Sequence, residues 1–418
     1  MKVALLTLGC KVNQAETAAL ESALAQKGFQ ITGLDEGPDF CVINTCTVTA
    51  KSDYQSRQLI RKAARAGAKV IVTGCYSELN QKAVMDMDGV VEVMSNKDKD
   101  CIINVLNSNS SKSNLCFMPS PMTRKRAFLK IQDGCDHLCS YCLIRIARGR
   151  SISMEPGRVI EMVRNAAEEG HAEVVLTGIH LGLYGGVVAG SGKAGLVSLL
   201  KRILKETDVR RIRLSSLQPN EIDEGLVELM QDKRICNHLH IPLQSGDDNI
   251  LKRMKRPYNL NAFLRKIELI HRKISDIGIG TDIIAGFPGE DETNFSNTLA
   301  VLRDLPFSYA HIFRYSDRPG TAAADLDGKV PAGVKRERTA ILREIAENKK
   351  ISFIQSLTGK TLDVLIEGEA TVNGEHGFKG TAGNYIKVFT AAQEGISAGN
   401  IEDIRVCGGY LDMALGVL

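Results

Sequence analysis

Three cysteines, Cys135, Cys139 and Cys142, stand in the segment Gly-Cys-Asp-His-Leu-Cys-Ser-Tyr-Cys. Thiolates so spaced on one short loop can hold three irons of a cubane 4Fe–4S cluster and leave the fourth iron open to another ligand. A structural zinc ion is the alternative chemistry. Zinc closes a tetrahedron with four ligands, normally as two paired hooks, and His137 between the first two cysteines is poorly spaced to be the fourth. The loop follows a β-like run, Phe128 to Ile131, and barrel folds gather their sites at the C-terminal ends of strands.

A second set is dispersed along the first hundred residues. Cys10 ends one strand-like run in Leu-Gly-Cys-Lys-Val-Asn, Cys46 follows the next in Asn-Thr-Cys-Thr-Val-Thr, and Cys75 follows a third in Gly-Cys-Tyr. Each alone reads as a buried apolar thiol. Three at equivalent strand ends of a parallel sheet share one edge, where such folds place ligands, so they can converge on a second cluster. Cys41, Cys101, Cys116, Cys236 and Cys407 show no such pattern and read as structural.

The elements that must position these groups follow from periodicity. Val3 to Leu8, Phe40 to Ile43 and Val70 to Thr73 alternate with helices over Ala15 to Lys27 and Gln55 to Ala66, which predicts a small parallel α/β domain over residues 1–115. Asn107 to Pro121 is Ser/Asn-rich and reads as a linker. Phe128 to Ile131, Glu173 to Leu176, Arg211 to Leu214, Leu239 to Leu243, Ile279 to Ile284 and Tyr309 to Phe313 are separated by helix-length segments. Six βα repeats predict a partial barrel, placed with a connecting helix (Pro331 to Phe353) in residues 121–353. Leu362 to Glu367, Gly377 to Gly380, Tyr385 to Phe389 and Ile404 to Cys407 are short strands with glycine-rich turns, so residues 354–418 read as a small β-barrel. The fold class is α/β with this third, all-β unit.

With 44% hydrophobic and 24% charged residues, the 418-residue chain is neither disordered nor collagen-like. No apolar run approaches the roughly 20 residues that cross a bilayer, and residues 1–8 are too short for a signal peptide, so a cytoplasmic protein with no membrane partner is expected. In that compartment eleven cysteines point to metal or catalysis rather than disulfides. The net charge of +4 divides unevenly: from Gly359 onward four basic residues face eight acidic ones, so that tail is −4 and the rest +8.

With both cysteine sets in place, the whole chain resembles the radical S-adenosylmethionine (SAM) methylthiotransferases. The resemblance runs through Thr177 to Gly185 (Thr-Gly-Ile-His-Leu-Gly-Leu-Tyr-Gly), Arg211 to Pro219, His238 to Gly246 and Thr281 to Glu290. It implies an N-terminal cluster domain, a radical SAM barrel and a C-terminal TRAM-like RNA-binding domain. It further implies two 4Fe–4S clusters. The one on Cys135, Cys139 and Cys142 makes a 5′-deoxyadenosyl radical from SAM, and the one on Cys10, Cys46 and Cys75 carries the sulfur that is methylated and transferred to C2 of an adenine in tRNA. An electron donor of flavodoxin or ferredoxin type and a sulfur source are implied partners, with the tRNA anticodon stem-loop as substrate. The wording Gly9-Cys10-Lys11-Val12-Asn13, with Cys46-Thr47-Val48-Thr49 and Gly178-Ile179-His180, resembles the branch acting on N6-threonylcarbamoyladenosine at position 37. Other branches act on isopentenyladenosine in tRNA or on an aspartate of a ribosomal protein; a non-catalytic iron–sulfur RNA-binding redox sensor is an alternative of another class.

Tyr141, Gly178, Gln218 and Gln244 are candidate SAM contacts, Gln218 by the same resemblance and Gly178 and Gln244 from their places at the ends of the second and fourth barrel strands. Gly178 otherwise serves only a tight turn, and Gln218 stands where the family more often has Glu. Arg145 and Arg314 stand where proline is usual. His238 and His240 read as satisfied core histidines. Arg124, Lys125, Arg126, Lys130, Arg145, Arg148 and Arg150 concentrate positive charge around the cysteine loop, as an RNA-facing surface would.

Overall fold

A computed structural model describes residues 1–106, 125–186, 195–393 and 395–417. The linker read at Asn107 to Pro121, and with it the boundary near residue 115, lies outside the described residues.

The N-terminal unit is a parallel sheet of five strands, β1 (Lys2–Thr7), β2 (Gln30–Ile31), β3 (Phe40–Thr45), β4 (Lys69–Gly74) and β5 (Val90–Val93), in the order β2-β1-β3-β4-β5. The central three are the sequence-predicted ones, since β3 and β4 are buried on both faces and read as continuous apolar runs. The outer two are short edge strands whose identity comes from pairing. The first helix spans Lys11–Gln26 and begins directly after Cys10, earlier than its apolar period suggests. Asn13 explains this, because its side-chain amide donates to the carbonyls of Leu8 and Thr45 and ties the first turn to two strand ends.

The central unit carries β6 (Arg126–Asp133), β7 (Ile152–Ser153), β8 (Glu173–Gly178), β9 (Arg211–Leu214), β10 (His238–His240), β11 (Gly278–Ala285) and β12 (Tyr309–Arg314). All six predicted strands are present and pair parallel with one another, but in two sheets, β7-β6-β8-β9 and β10-β11-β12, with the short β7 antiparallel at the edge of the first. A bridge from Ile212 to Ile235 and a hydrogen bond from Leu217 N–H to the His240 carbonyl (3.0 Å) join them. Among the described residues β6 and β12 do not pair, so the barrel is open. The helix Lys11–Gln26 packs against β6, and the long helix Ala332–Ser356 covers β12. Ile131, Leu176, Ile212, Leu239 and Ile279 fill the interior, whose apolar burial is the main stabilising term.

The last unit is a closed barrel of β13 (Thr361–Val372), β14 (Glu375–Ala382), β15 (Lys387–Ala391), β16 (Ile401–Tyr410) and β17 (Met413–Val417), ordered β13-β14-β15-β17-β16. The fifth strand, β17, escapes sequence reading because it is short and contains Gly416.

Buried charge joins the three units. Glu16 of the first helix pairs with Lys99, with Lys130 (2.9 Å) and with Arg148 (2.8 Å), while Asp133 takes the same Lys130 (3.1 Å) and Arg148 (3.0 Å). Arg126 pairs with Glu367 at 2.7 Å, and Arg145 Nη1 donates to the Asp136 carbonyl. This corrects the reading of that basic cluster as an RNA face for Arg126, Lys130, Arg145 and Arg148; Lys125 and Arg150 are exposed, and Arg124 lies outside the described residues. Four of its members are committed to interdomain or loop contacts, because sequence proximity showed the cations but not the acids that fold against them. The acidity of the C-terminal barrel has the same explanation: Glu367 answers Arg126, Asp363 answers Arg211 and Asp412 answers Lys350. Among the described residues no helix is long and apolar enough to cross a membrane.

Candidate active site

Gly9-Cys10 and Gly74-Cys75 share a backbone device. Gly9 has φ +121°, and a Cβ there would stand 2.9 Å from Cys46 Cβ and 3.2 Å from its Sγ. Gly74 has φ +105°, and a Cβ there would stand 2.4 Å from the backbone N and O of Thr45. Only glycine lets each chain cross the end of β3 so closely. The cysteines that follow β1, β3 and β4 are therefore drawn to one sheet edge. Burial raises the pKa of Cys46, and Cys10 and Cys75 are near enough for their charges to add to the rise. Burial likewise raises Cys75, opposed by Arg148, whose Nε reaches Cys75 Sγ at 3.2 Å. Arg148 Nη2 also donates to Asn13 Oδ1 at 2.7 Å, so the guanidinium from the barrel's cysteine loop reaches into the N-terminal sulfur group.

The loop after β6 holds Cys135, Cys139 and Cys142, with no disulfide among the described cysteines. Nitrogen groups are aimed at each sulfur. Cys135 Sγ lies 3.2 Å from His180 Nδ1, Cys139 Sγ accepts from Arg256 Nη1 at 3.2 Å, and Cys142 Sγ accepts from the Ile144 N–H at 3.5 Å. Burial pushes the Cys142 thiol up to about 12, so it loses its proton only to a strongly bound cation. Thiols on one loop, surrounded by N–H donors and a half-buried arginine, fit a cluster whose net charge is negative; so do Cys10, Cys46 and Cys75 beside Arg148.

A cavity of about 1230 Å³ opens between the units. Cys10, Lys11 and Cys46 line it on one side; Thr177, Gly178, Ser215 and His240, at or just past the C-terminal ends of barrel strands, line it on the other, with Asp282 and His311 from within β11 and β12; Tyr385 enters from the C-terminal barrel. Of the four candidate SAM contacts, only Gly178 borders this space. A Cβ on it would stand 2.7 Å from Gln132 Oε1, so its lack of a side chain admits Gln132, which holds the His180 N–H at 2.8 Å. Gln218 keeps a buried Oε1 without a partner, an acceptor free for a ligand hydroxyl. Gln244 has φ +67°, a strained conformation of the kind that clusters at ligand sites. Tyr141 accepts from Arg256 Nη1 at 3.4 Å and meets Phe287 edge-on.

His238 and His240 are buried and hydrogen-bonded, as the sequence suggested, and belong to a polar row. His238 Nε2 and His240 Nδ1 both reach the Tyr309 hydroxyl, at 2.9 and 3.1 Å, and His238 Nδ1 is buried without a partner. His240 Nε2 continues to Asp282 at 2.9 Å, which His311 also contacts at 3.2 Å. Gly280, on the strand between, leaves room for the Tyr309 ring. No pattern along the chain points to this row, nor to Arg256, Glu16 or Tyr385, because each meets partners far away in the sequence. His180 pairs with Glu221, an acid three residues beyond Gln218 that the motif reading passed over.

Two family descriptions match the chain: the Radical SAM superfamily over residues 129–302, and Uncharacterized protein family UPF0004 over residues 2–96. The chain is 36% identical over 384 residues to the threonylcarbamoyladenosine tRNA methylthiotransferase MtaB of Aquifex aeolicus, covering 88% of this chain and 93% of that one. It is 34% identical over 424 residues to the Bacillus subtilis protein of the same name, covering 97% and 93%. A tRNA-2-methylthio-N6-dimethylallyladenosine synthase of Chlorobium limicola is 31% identical over 402 residues, covering 92% and 90%. Among solved structures, the radical S-adenosylmethionine methyltransferase TsrM of Kitasatospora setae superposes with a TM-score of 0.58 at 16% identity, over 77% of this chain and 75% of that one, a likeness of fold alone.

Proposed function

This chain belongs to the radical SAM tRNA methylthiotransferases, and we propose that it adds a methylthio group to C2 of N6-threonylcarbamoyladenosine at position 37, beside the anticodon. Family membership brings SAM and a 4Fe–4S cluster. In this proposal Cys135, Cys139 and Cys142 hold that cluster, and Cys10, Cys46 and Cys75 hold a second. When bound, the first supplies with SAM the radical that removes hydrogen from C2, and the second supplies the sulfur. Tyr141, Gly178, Gln218 and Gln244 are the proposed SAM contacts.

The observation that carries the proposal is the shared cavity: Cys10 and Cys46 and the C-terminal ends of the barrel strands border one space. A base held there lies beside Cys10 and Cys46 and beside Ile144, two residues past Cys142, without leaving the site, which is the positioning that such a reaction needs. The chain's own groups keep the regions together. Arg148 spans from the cysteine loop to Cys75 and Asn13, and Arg318 from the loop after β12 reaches Asp53 at 2.8 Å behind Cys46. The substrate branch rests on the relatives named for threonylcarbamoyladenosine. A one-electron donor and a source of sulfur complete the proposed reaction.

The test is anaerobic. Clusters are reconstituted, SAM, a reductant and tRNA bearing threonylcarbamoyladenosine are added, and the digested nucleosides are analysed by mass spectrometry. A methylthio derivative of that nucleoside supports the proposal. 5′-Deoxyadenosine without the derivative refutes the substrate and leaves isopentenyladenosine tRNA and the ribosomal protein to be tried.

A further inference from the structure

Lys11 follows Cys10 and lines the cavity, with its Nζ 5.1 Å from the centroid of the Tyr385 ring. Among the described residues its ammonium has no hydrogen bond and no carboxylate partner. The acid of that neighbourhood, Glu173, is already held by Arg211 Nε at 2.7 Å and by Arg213 Nε at 2.8 Å. Arg213 itself stands 5.2 Å from the Tyr385 ring, so a second cation faces that ring beside Lys11. An unpaired, partly desolvated ammonium is costly and calls for an anion. Of the two acids that line the cavity, Asp282 is occupied by His240 and His311 and Asp317 by Lys329.

We propose that Lys11 receives the carboxylate of the threonylcarbamoyl group, with the Tyr385 ring as the wall beside it. This rests on the substrate proposed above and assigns its acidic substituent a partner. Tyr385 is held in place as such a wall, since its backbone has φ +73° and its ring stacks on His238 at 4.5 Å. The position beside Cys10 puts the charged end of the substituent within the same cavity as the sulfur-bearing region. A neutral isopentenyl group entering this site leaves the ammonium unpaired, so the same contact that admits one substrate rejects the other.

An anionic oxygen on Lys11 has two sources in tRNA, the threonyl carboxylate and a backbone phosphate, and the test separates them. Three synthetic anticodon stem-loops of one sequence are compared for binding to the reconstituted full-length protein: one with threonylcarbamoyladenosine, one with its methyl ester, and one with unmodified adenosine. Wild type and Lys11→Met are both measured, and iron and sulfide content is checked because Cys10 is adjacent. The wild type should bind the acid about tenfold or more tighter than the ester, the gain of one charge-assisted hydrogen bond. Lys11→Met should lose that preference while binding the unmodified loop as before. Equal losses of Lys11→Met on all three loops assign the lysine to a phosphate and overturn the proposal. A wild type indifferent to esterification overturns it whether or not the variant folds. Preference retained in Lys11→Met places the carboxylate elsewhere and overturns it too. A wild type that methylthiolates threonylcarbamoyladenosine tRNA in any of these cases leaves the parent proposal standing; one that does not takes both down.

Discussion

Glu173→Gln keeps the shape of a side chain and removes one buried charge. Glu173 is fully buried and accepts from Arg211 Nε at 2.7 Å and from Arg213 Nε and Nη2 at 2.8 and 3.0 Å. Burial alone would raise its pKa, but Arg213 first, then Arg211 and Arg126, reverse this and bring it from 4.5 down to about 2. The difference corresponds to about 3 kcal/mol. Because the folded-state value is the lower one, this stability is present above about pH 4.5 and is lost as the pH falls toward 2. Glutamine leaves two arginines, each no more than 1% exposed, without their main counter-charge, at a cost of about 3–5 kcal/mol. The damage should concentrate in the C-terminal barrel. The same guanidinium groups donate to the carbonyls of Asp363 and Thr381, at 2.9 and 2.8 Å, and of Ala382 and Gly383, at 3.0 and 2.9 Å. Hydrogen exchange at pH 7 should therefore quicken in residues 360–390 of the variant and stay unchanged in the N-terminal sheet. Thermal unfolding of variant and wild type should converge as the pH is lowered. Unchanged exchange over Thr381 to Gly383 at pH 7, with an unshifted melt, would refute the view that this carboxylate locks the barrel in place.

Cys135→Ser should lose 5′-deoxyadenosine formation, whereas Cys46→Ser should keep it and lose only the methylthio product; iron content and mass spectrometry of both products check this. Arg256→Met removes a cation from beside Cys139 Sγ, so the cluster proposed there should become harder to reduce, read as a more negative midpoint in anaerobic voltammetry. Gly280→Ala would place a Cβ 2.1 Å from the Tyr309 Cζ. Overpacking should cost about 1–3 kcal/mol in a thermal melt, and product yield should fall as the hydroxyl linking His238 to His240 is displaced. Gln244→Val puts a β-branched residue at φ +67° and should destabilise more than Gln244→Gly, which adopts that conformation freely; the order of the two melting temperatures decides.

Whatever depends on local pattern is legible in the chain alone. Runs such as Cys41 to Asn44 and Val174 to Leu176 are buried on both faces and stand out as strands, and a three-cysteine loop needs no partner to be recognised. The dispersed cysteines are also legible, because strand ends in a parallel sheet share an edge and Gly9 and Gly74 stand directly before two of them. Which charges are available is settled only by folding. Lys130, Arg126 and Arg148 look like an RNA surface until Glu16, Asp133 and Glu367, up to 241 residues away in the chain, fold against them. The His238-Tyr309-His240-Asp282 row, the seam between β9 and β10, and the approach of Tyr385 to Lys11 likewise join residues with no common period. Electrostatic pairing and close packing act through space, whereas hydrophobic periodicity acts along the chain, and that difference separates what the sequence disclosed from what it withheld.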